Sequence, residues 1–325
     1  MKNFEHVSAT SVEHALSTLA KYGPEGRVMA GGQDLLFRIK KYIVQPRCVV
    51  DIKTIPGLSY VRPGADGLRI GALTTLSEIA SSPHLRNGCS VLAQAAGVVA
   101  SPQIRNLGTA GGNLCQDVWC WYLQDGFSCW KSGGKFCDLA GGDSRYYGSI
   151  MGGHLCLSNH PSDLAPALAA LDARIHVASP RGKRSVPILE FLPGHQWVGE
   201  TLQSHALQPD EIVTEIDVPF HPTRSIYLKS APRKSWDFAL SSVAVSVVMD
   251  NEICKDLRIA FGGIATHPYR SPEAESLVKG NKITEALAAE AAETALSKAK
   301  PLKMNGYKLD LSKVLLRRAL MAVGG

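Results

Sequence analysis

Five of the eight cysteines, Cys115, Cys120, Cys129, Cys137 and Cys156, crowd into one stretch, while Cys48, Cys89 and Cys254 are scattered. Thiolate sulfur is a soft ligand suited to iron–sulfur clusters, which usually take four of them. Cys120, Cys129, Cys137 and Cys156 are spaced C-x8-C-x7-C-x18-C. That is neither the tight run of bacterial ferredoxins nor the paired knuckles of a zinc ribbon. Spacing alone therefore points to a metal cluster but leaves structural zinc and disulfides open. A reducing compartment disfavours disulfides. His154 and His160 are ligands in principle, although such loop histidines are more often simply hydrogen-bonded.

Two glycine turns supply a second kind of chemistry. Ala30-Gly31-Gly32-Gln33-Asp34-Leu35 follows a short apolar strand, and Thr109-Ala110-Gly111-Gly112-Asn113 opens the cysteine-rich stretch. A backbone without Cβ can approach a ligand closely and aim its N–H groups at phosphate oxygens. Two such turns could grip a diphosphate from two sides. Neither spacing fits the Rossmann or P-loop fingerprints. Taken singly, each Gly-Gly pair is an ordinary tight turn.

The elements that must hold these residues read as mixed α+β, not a regular βαβ series. A helix is expected from Val12 with a capping box at Thr10 and Glu13, apolar positions Val12, Ala15, Leu16 and Leu19, and a stop at Gly23. Strands are expected at 28–30, 48–52, 68–72, 174–178, 211–218, 241–249 and 257–261. Helices are expected at 76–80, 91–100, from Ser162-Asp163 to Leu171, 284–298 and 310–321. Lys308, Lys313, Arg317 and Arg318 are expected on the wet face of the last helix. The cysteine stretch has no period and reads as a long ordered insertion. The expected divisions are 1–56, 57–220 with the insertion at about 115–157, and 221–325, the last opening near His221-Pro222.

With 325 residues, 45% hydrophobic and 20% charged, the chain can bury real cores. A net charge of +6 is spread too thinly for a nucleic-acid surface. No apolar run reaches membrane-spanning length, and the first residues lack the apolar region of a signal peptide. The expected compartment is cytoplasmic, unless a signal-bearing partner carries the chain out. No H-E-x-x-H or G-x-S-x-G motif is present, and no catalytic residue is assigned.

The two turns resemble the FAD loops of the flavoprotein subunit of molybdenum hydroxylases, the xanthine dehydrogenase and carbon monoxide dehydrogenase family. Ile104-Arg105-Asn106, Pro161-Ser162-Asp163-Leu164, Pro209-Asp210-Glu211-Ile212-Val213 and Tyr227-Leu228-Lys229, then Arg233 and Asp237, resemble family positions in the right order. Essentially the whole chain is covered. The resemblance implies an α+β fold of the PCMH or vanillyl-alcohol-oxidase type: two FAD-binding subdomains and a C-terminal α+β domain. It implies that Ala30, Gly31, Gly32, Gln33, Asp34 and Leu35 cradle the diphosphate with Thr109, Gly111, Gly112 and Asn113. Asp163 resembles the acid that contacts the flavin, and Val213 and Lys229 lie where relatives touch the isoalloxazine or ribityl chain. The plainer roles are a helix cap for Asp163, a core position for Val213 and a solvated side chain for Lys229. Gln33 stands where many relatives have Thr or Ser.

Most of that family lacks the cysteines. Cys120, Cys129, Cys137 and Cys156 resemble the [4Fe–4S] insertion of the flavin subunits of 4-hydroxybenzoyl-CoA reductase and of periplasmic aldehyde oxidoreductases. Cys115 is then the odd one out, a packing residue or a substitute for Cys120. Trp119, Trp121, Tyr122, Phe127 and Trp130 would shield the cluster or merely fill the insertion. The implied protein carries FAD and a [4Fe–4S] cluster. Its implied partners are a large molybdenum-cofactor subunit and a small subunit with two [2Fe–2S] centres, in a dimer of heterotrimers. It would pass electrons between them and an outside acceptor or donor. The rivals are a stand-alone flavin oxidoreductase, a scaffold that has lost its cofactors and a zinc-stabilised binding module.

Overall fold

The computed structural model describes residues 1–64, 66–219 and 222–325. The division expected at His221 therefore lies outside the described residues. The first unit is a parallel sheet, order β1-β3-β2, of β1 (Glu5–Ser8), β2 (Gly26–Met29) and β3 (Cys48–Asp51). A parallel pair needs a crossover, and α1 (Val12–Tyr22) supplies the one from β1 to β2. Its buried Ala15, Leu16 and Leu19 pack against Cys48 and Val50. The cap is Ser11, whose Oγ accepts from His14 N–H, one residue beyond the expected Thr10. β2 delivers the chain directly into the first glycine turn, and α2 (Leu35–Lys40) leaves it.

The second unit is an antiparallel sheet, order β4-β5-β10-β6-β7. Its strands are β4 (Val61–Pro63), β5 (Leu68–Gly71), β6 (Arg174–Ser179), β7 (Gly182–Pro187) and β10 (Ile212–Val218), and a small hairpin joins β8 (Gln196–Val198) to β9 (Thr201–Gln203). Helix α3 (Leu76–Ser81) starts at a capping box, Thr75 with Glu78. Helix Ser90–Gly97 buries five of its eight residues, as its nearly continuous apolar sequence implies.

The third unit is a meander of β11 (Arg224–Ser230), β12 (Ser241–Asp250), β13 (Ile253–Gly262) and β14 (Tyr269–Arg270). Helices Pro272–Val278, Glu285–Leu296 and Tyr307–Gly324 cover it, and Val243, Val245, Ile259, Leu316 and Leu320 share its core. Hydrogen bonds at Ser90, Val91 and Gln94 tie helix Ser90–Gly97 to β11. Tyr227 N–H donates to Gln94 Oε1 at 2.8 Å, and Ser90 Oγ donates to Ser225 O at 2.8 Å. That docking fixes where Tyr227 and Lys229 point.

One expectation fails here. Lys308 is not on a wet face but fully buried. Its Nζ donates to the carbonyls of Tyr146, Gly148 and Gly263 at 2.8, 3.1 and 2.9 Å. It is a pin joining the end of the insertion to the third unit.

Candidate functional site

The first turn is shaped by two glycines with different tasks. Gly32 has φ +72°, the left-handed region that glycine adopts without strain. A Cβ on Gly31 would sit 2.1 Å from Leu107 O, so this backbone lies directly against the segment preceding the second turn. Leu36 N–H already bonds back to Gly32 O, so α2 begins immediately. The N–H groups of Gly31, Gly32, Gln33 and Asp34 find no acceptor among the described residues. They are donors available to an anion.

The second turn differs. Ala110 N–H donates to Thr74 O and Gly111 N–H to Ala72 O, each at 2.9 Å. Gly112 N–H donates to Thr109 Oγ1 at 3.2 Å. Its amides are thus engaged in docking the turn onto the end of β5, and a Cβ on Gly111 would press on Ala72 at 3.1 Å. The expected symmetry, two turns both presenting free amides, is not what the chain builds. The second turn instead offers small residues and side chains as a wall. Asn113 is buried, and its Oδ1 accepts from Ser162 Oγ at 2.6 Å, which couples it to the Asp163 segment.

Between the turns lies a cleft of about 520 Å³. All six residues of Ala30 to Leu35 line it, as do Thr109, Gly112, Asn113 and Asp163. Gly111 stands behind the wall. Asp163 is 4% exposed and makes no cap bond to the helix it precedes, Leu164–Ala169. Instead Tyr227 OH donates to its Oδ1 and Lys229 Nζ to its Oδ2, both at 2.7 Å. Burial and the neighbouring Asp163 charge push the Tyr227 hydroxyl well above its ordinary pKa, so it stays a donor. The Lys229 side chain is 8% exposed, which rules out the solvated role, and it reaches the cleft through Asp163. Val213 does not line the cleft; it packs in the core beside Val177 and Ile216. Arg233 and Asp237 form a bidentate pair at the rim, at 2.7 and 3.2 Å. Cys115 also lines the cleft, with burial pushing its thiol up to about 12, as befits a packing residue.

Cys120 and Cys156 are core members of a separate small apolar cluster with Val118, Leu123 and Leu202, against which Cys129 and Trp130 pack. Cys137 lies within electrostatic reach of both Cys120 and Cys156, and Cys129 of Cys120. Cys120, Cys129 and Cys156 thus share one small cluster within a segment with hardly any regular structure, and Cys137 is not a member of it. None of the eight cysteines is disulfide-bonded. Burial pushes the Cys120 thiol to about 11 and Cys156 to about 12, so protons must leave if metal is to enter. Among the described residues no three His, Cys, Asp or Glu side chains close around a single ion. Ser132 Oγ donates to Cys129 Sγ at 3.6 Å. Of the expected shielding aromatics, Trp119 faces the cleft and stacks on Phe37 at 4.6 Å. Trp121 packs on Tyr146 and Tyr147, and Tyr122 on Phe127. Phe127 is 48% exposed and shields little.

A polar network that nothing in the spacing announced separates cleft and pocket. Asp117 bonds Arg38 of α2 at 2.5 Å and Lys131 at 3.0 Å, and its N–H donates to Asp34 at 3.3 Å. Burial would raise the Asp117 carboxyl, but the two cations overcome it and hold it well below the usual carboxylate range. His160, by contrast, is driven down to about 3 by burial and is neutral. Its Nδ1 accepts from Ser162 N–H at 3.4 Å, the hydrogen-bonded loop role.

A cleft between the first glycine turn and the helical segments of the second unit, with free amides on one wall, suits a nucleotide. The family model described as FAD binding domain in molybdopterin dehydrogenase matches residues 2–118 and 133–221. The model for the CO dehydrogenase flavoprotein C-terminal domain matches 226–323. The chain belongs to the FAD-binding medium-subunit family of the molybdenum hydroxylases. The first match breaks off over residues 119–132, which carry Cys120 and Cys129. The aldehyde oxidoreductase FAD-binding subunit PaoB of Escherichia coli (strain K12) is 34% identical, over 98% of this chain and 96% of that one. The glyceraldehyde dehydrogenase medium chain of Sulfolobus acidocaldarius is 27% identical, over 98% of each. A carbon monoxide dehydrogenase structure from Hydrogenophaga pseudoflava superposes with TM-score 0.79 at 25% identity, covering 99% and 97% of the two chains. These relatives are named dehydrogenase and oxidoreductase subunits, and this chain is a flavoprotein oxidoreductase subunit of that class.

Proposed function

We propose that this chain is the electron-transfer subunit of a multi-subunit molybdenum-dependent hydroxylase or dehydrogenase, holding FAD in the cleft and a [4Fe–4S] cluster in the cysteine pocket. The cleft carries this reading: one wall of unpaired amides, and opposite it a buried carboxylate clamped by Tyr227 and Lys229. When bound, FAD exchanges electrons in pairs or singly, which suits a junction between a two-electron reaction and one-electron centres. The chain's own residues bind and orient. The amides of Gly31 to Asp34 would take the diphosphate, and the missing side chain of Gly31 lets that turn lie against Leu107. Asp163, with both oxygens already committed to Tyr227 and Lys229, is held rigid at the cleft wall. Trp119 and Phe37 exclude water from the opposite side.

Support for the cluster is the placement of Cys120, Cys129 and Cys156 in one small apolar cluster, together with the break in the family match over the segment that brings two of them. Substrate chemistry would reside on a large molybdenum-cofactor subunit, with a small subunit bearing two [2Fe–2S] centres, in a dimer of heterotrimers. The names of the relatives span aldehydes, nicotine and carbon monoxide, which fits a chain that does not itself select substrate. Among the described residues no helix is long and apolar enough to cross a membrane. The proposed site of action is cytoplasmic, or wherever a signal-bearing partner takes the complex. Purifying the native complex, counting its subunits and assaying flavin, iron and molybdenum together tests all of this. A fully active isolated chain, or a colourless one, would overturn it.

A further inference from the structure

The cleft contains a strained contact that the glycine turns do not require. Trp236 has φ +65° and Ala100 φ +41°. Both lie in the left-handed region that a side chain makes costly, most of all a bulky ring. The two residues are bonded to each other, Trp236 N–H donating to Ala100 O at 2.9 Å, and both line the cleft. The strap carrying Trp236 leaves β11 and returns to β12, closed at its base by Leu240 N–H donating to Ser230 O at 2.8 Å. Inside it, Arg233 donates to Trp236 O at 3.3 Å and to Asp237 at 2.7 Å, which holds the unfavourable backbone in place. Such outliers persist only where their surroundings over-determine them, and they gather at ligand clamps.

The side chain held at this cost is not packed. Trp236 is 58% exposed, whereas the other tryptophan of the cleft, Trp119, lies against Phe37 and Phe238. A large ring left open in a cleft gains most from a flat partner laid against it. Its neighbours fix which end of the cleft it serves. Lys229 Nζ donates to Asp163 at 2.7 Å and also to Val98 O at 3.2 Å, two residues before Ala100. Trp236 therefore stands at the Asp163 end.

We propose that Trp236 is a binding and positioning residue for FAD, its strained backbone aiming the indole at the isoalloxazine ring beside Asp163. The inference rests on the reading of the cleft as the FAD site.

The test measures, on the native complex, the visible circular dichroism of the bound flavin, the flavin retained per chain and the urea midpoint. Trp236→Phe keeps a ring and should keep most of the flavin and its dichroism. Trp236→Ala and Trp236→Gly both delete the ring, and each should alter the dichroism and weaken FAD retention about tenfold. Only glycine takes the positive φ without strain, so Trp236→Gly should unfold at higher urea than Trp236→Ala while losing flavin equally. A wild-type complex without flavin overturns the FAD reading and this inference with it. Flavin present, but with dichroism and retention unmoved by Trp236→Ala, overturns this inference alone. So does retention that follows the urea midpoint instead of the ring, or a partner subunit lost from the Trp236→Ala complex, which would make the indole a docking anchor.

Discussion

Two residues carry most of the site's demands, Gly31 and Asp163. Gly31→Ala would place a methyl 2.1 Å from the Leu107 carbonyl, and backbone on both sides leaves nothing flexible to yield. The turn must shift, so overpacking of about 1–3 kcal/mol is expected together with loss of bound flavin. Flavin absorbance per chain, alongside a urea midpoint, checks both. Asp163→Asn keeps the shape but leaves the Lys229 ammonium buried beside a neutral amide. Breaking such a pair typically costs about 3–5 kcal/mol. Adding Lys229→Met should recover much of that stability without recovering flavin, and this split would separate a binding carboxylate from a merely structural one.

At the scale of elements, α2 joins the ligand side to the pocket side. Burial pushes the Asp34 carboxyl up to about 6, against the pull of Arg38. Protonation there removes a negative charge from the wall that faces the expected diphosphate. FAD affinity should therefore weaken as pH rises through about 6 and level off above it, and Asp34→Asn should flatten the profile. A flavin titration from pH 5 to pH 8 measures this; an unchanged slope in the variant contradicts it. Most elements were legible because their signals are local: α1 from its apolar period, β12 and β13 from β-branched runs, helix Glu285–Leu296 from Thr284 and its alanines. What escaped depends on distant partners. Thr10 and Ser11 offer similar side chains, and only the path of the entering chain selects Ser11. Lys308 looks like a surface lysine until three carbonyls from positions 146 to 263 surround it. Likewise Lys131 sits in a polar, glycine-rich run, and no spacing rule ties it to Asp117. The glycine turns were found by composition, but which of them leaves its amides free is decided by the Ala72 and Thr74 carbonyls.

Taken whole, the molecule joins the cleft to the small apolar cluster of Cys120, Cys129 and Cys156 through adjacent residues, Trp119 lining the one and Cys120 belonging to the other. Cys129→Ser should then abolish the cluster signal, keep flavin in the cleft and slow exchange with the outside partner; stopped-flow reduction and reoxidation of the flavin reads this, and unchanged rates contradict the relay. Stability also has a whole-molecule signature. Burial lowers the Lys308 ammonium to about 7. The unfolded chain then binds more protons than the folded one above that pH, so stability should rise from about pH 7 toward the ordinary lysine range. Below pH 7 both states are protonated and the contribution is flat. Lys308→Met should remove that slope, as denaturant melts at several pH values would show. The most direct measurement of the central claim is an experimental density map of the native, metal-replete complex. It should show the diphosphate of FAD hydrogen-bonded to the amides of Gly31 to Asp34, and Cys120, Cys129, Cys137 and Cys156 each bonded to one iron. A nucleotide seated away from that turn, or four thiols without iron, would contradict it.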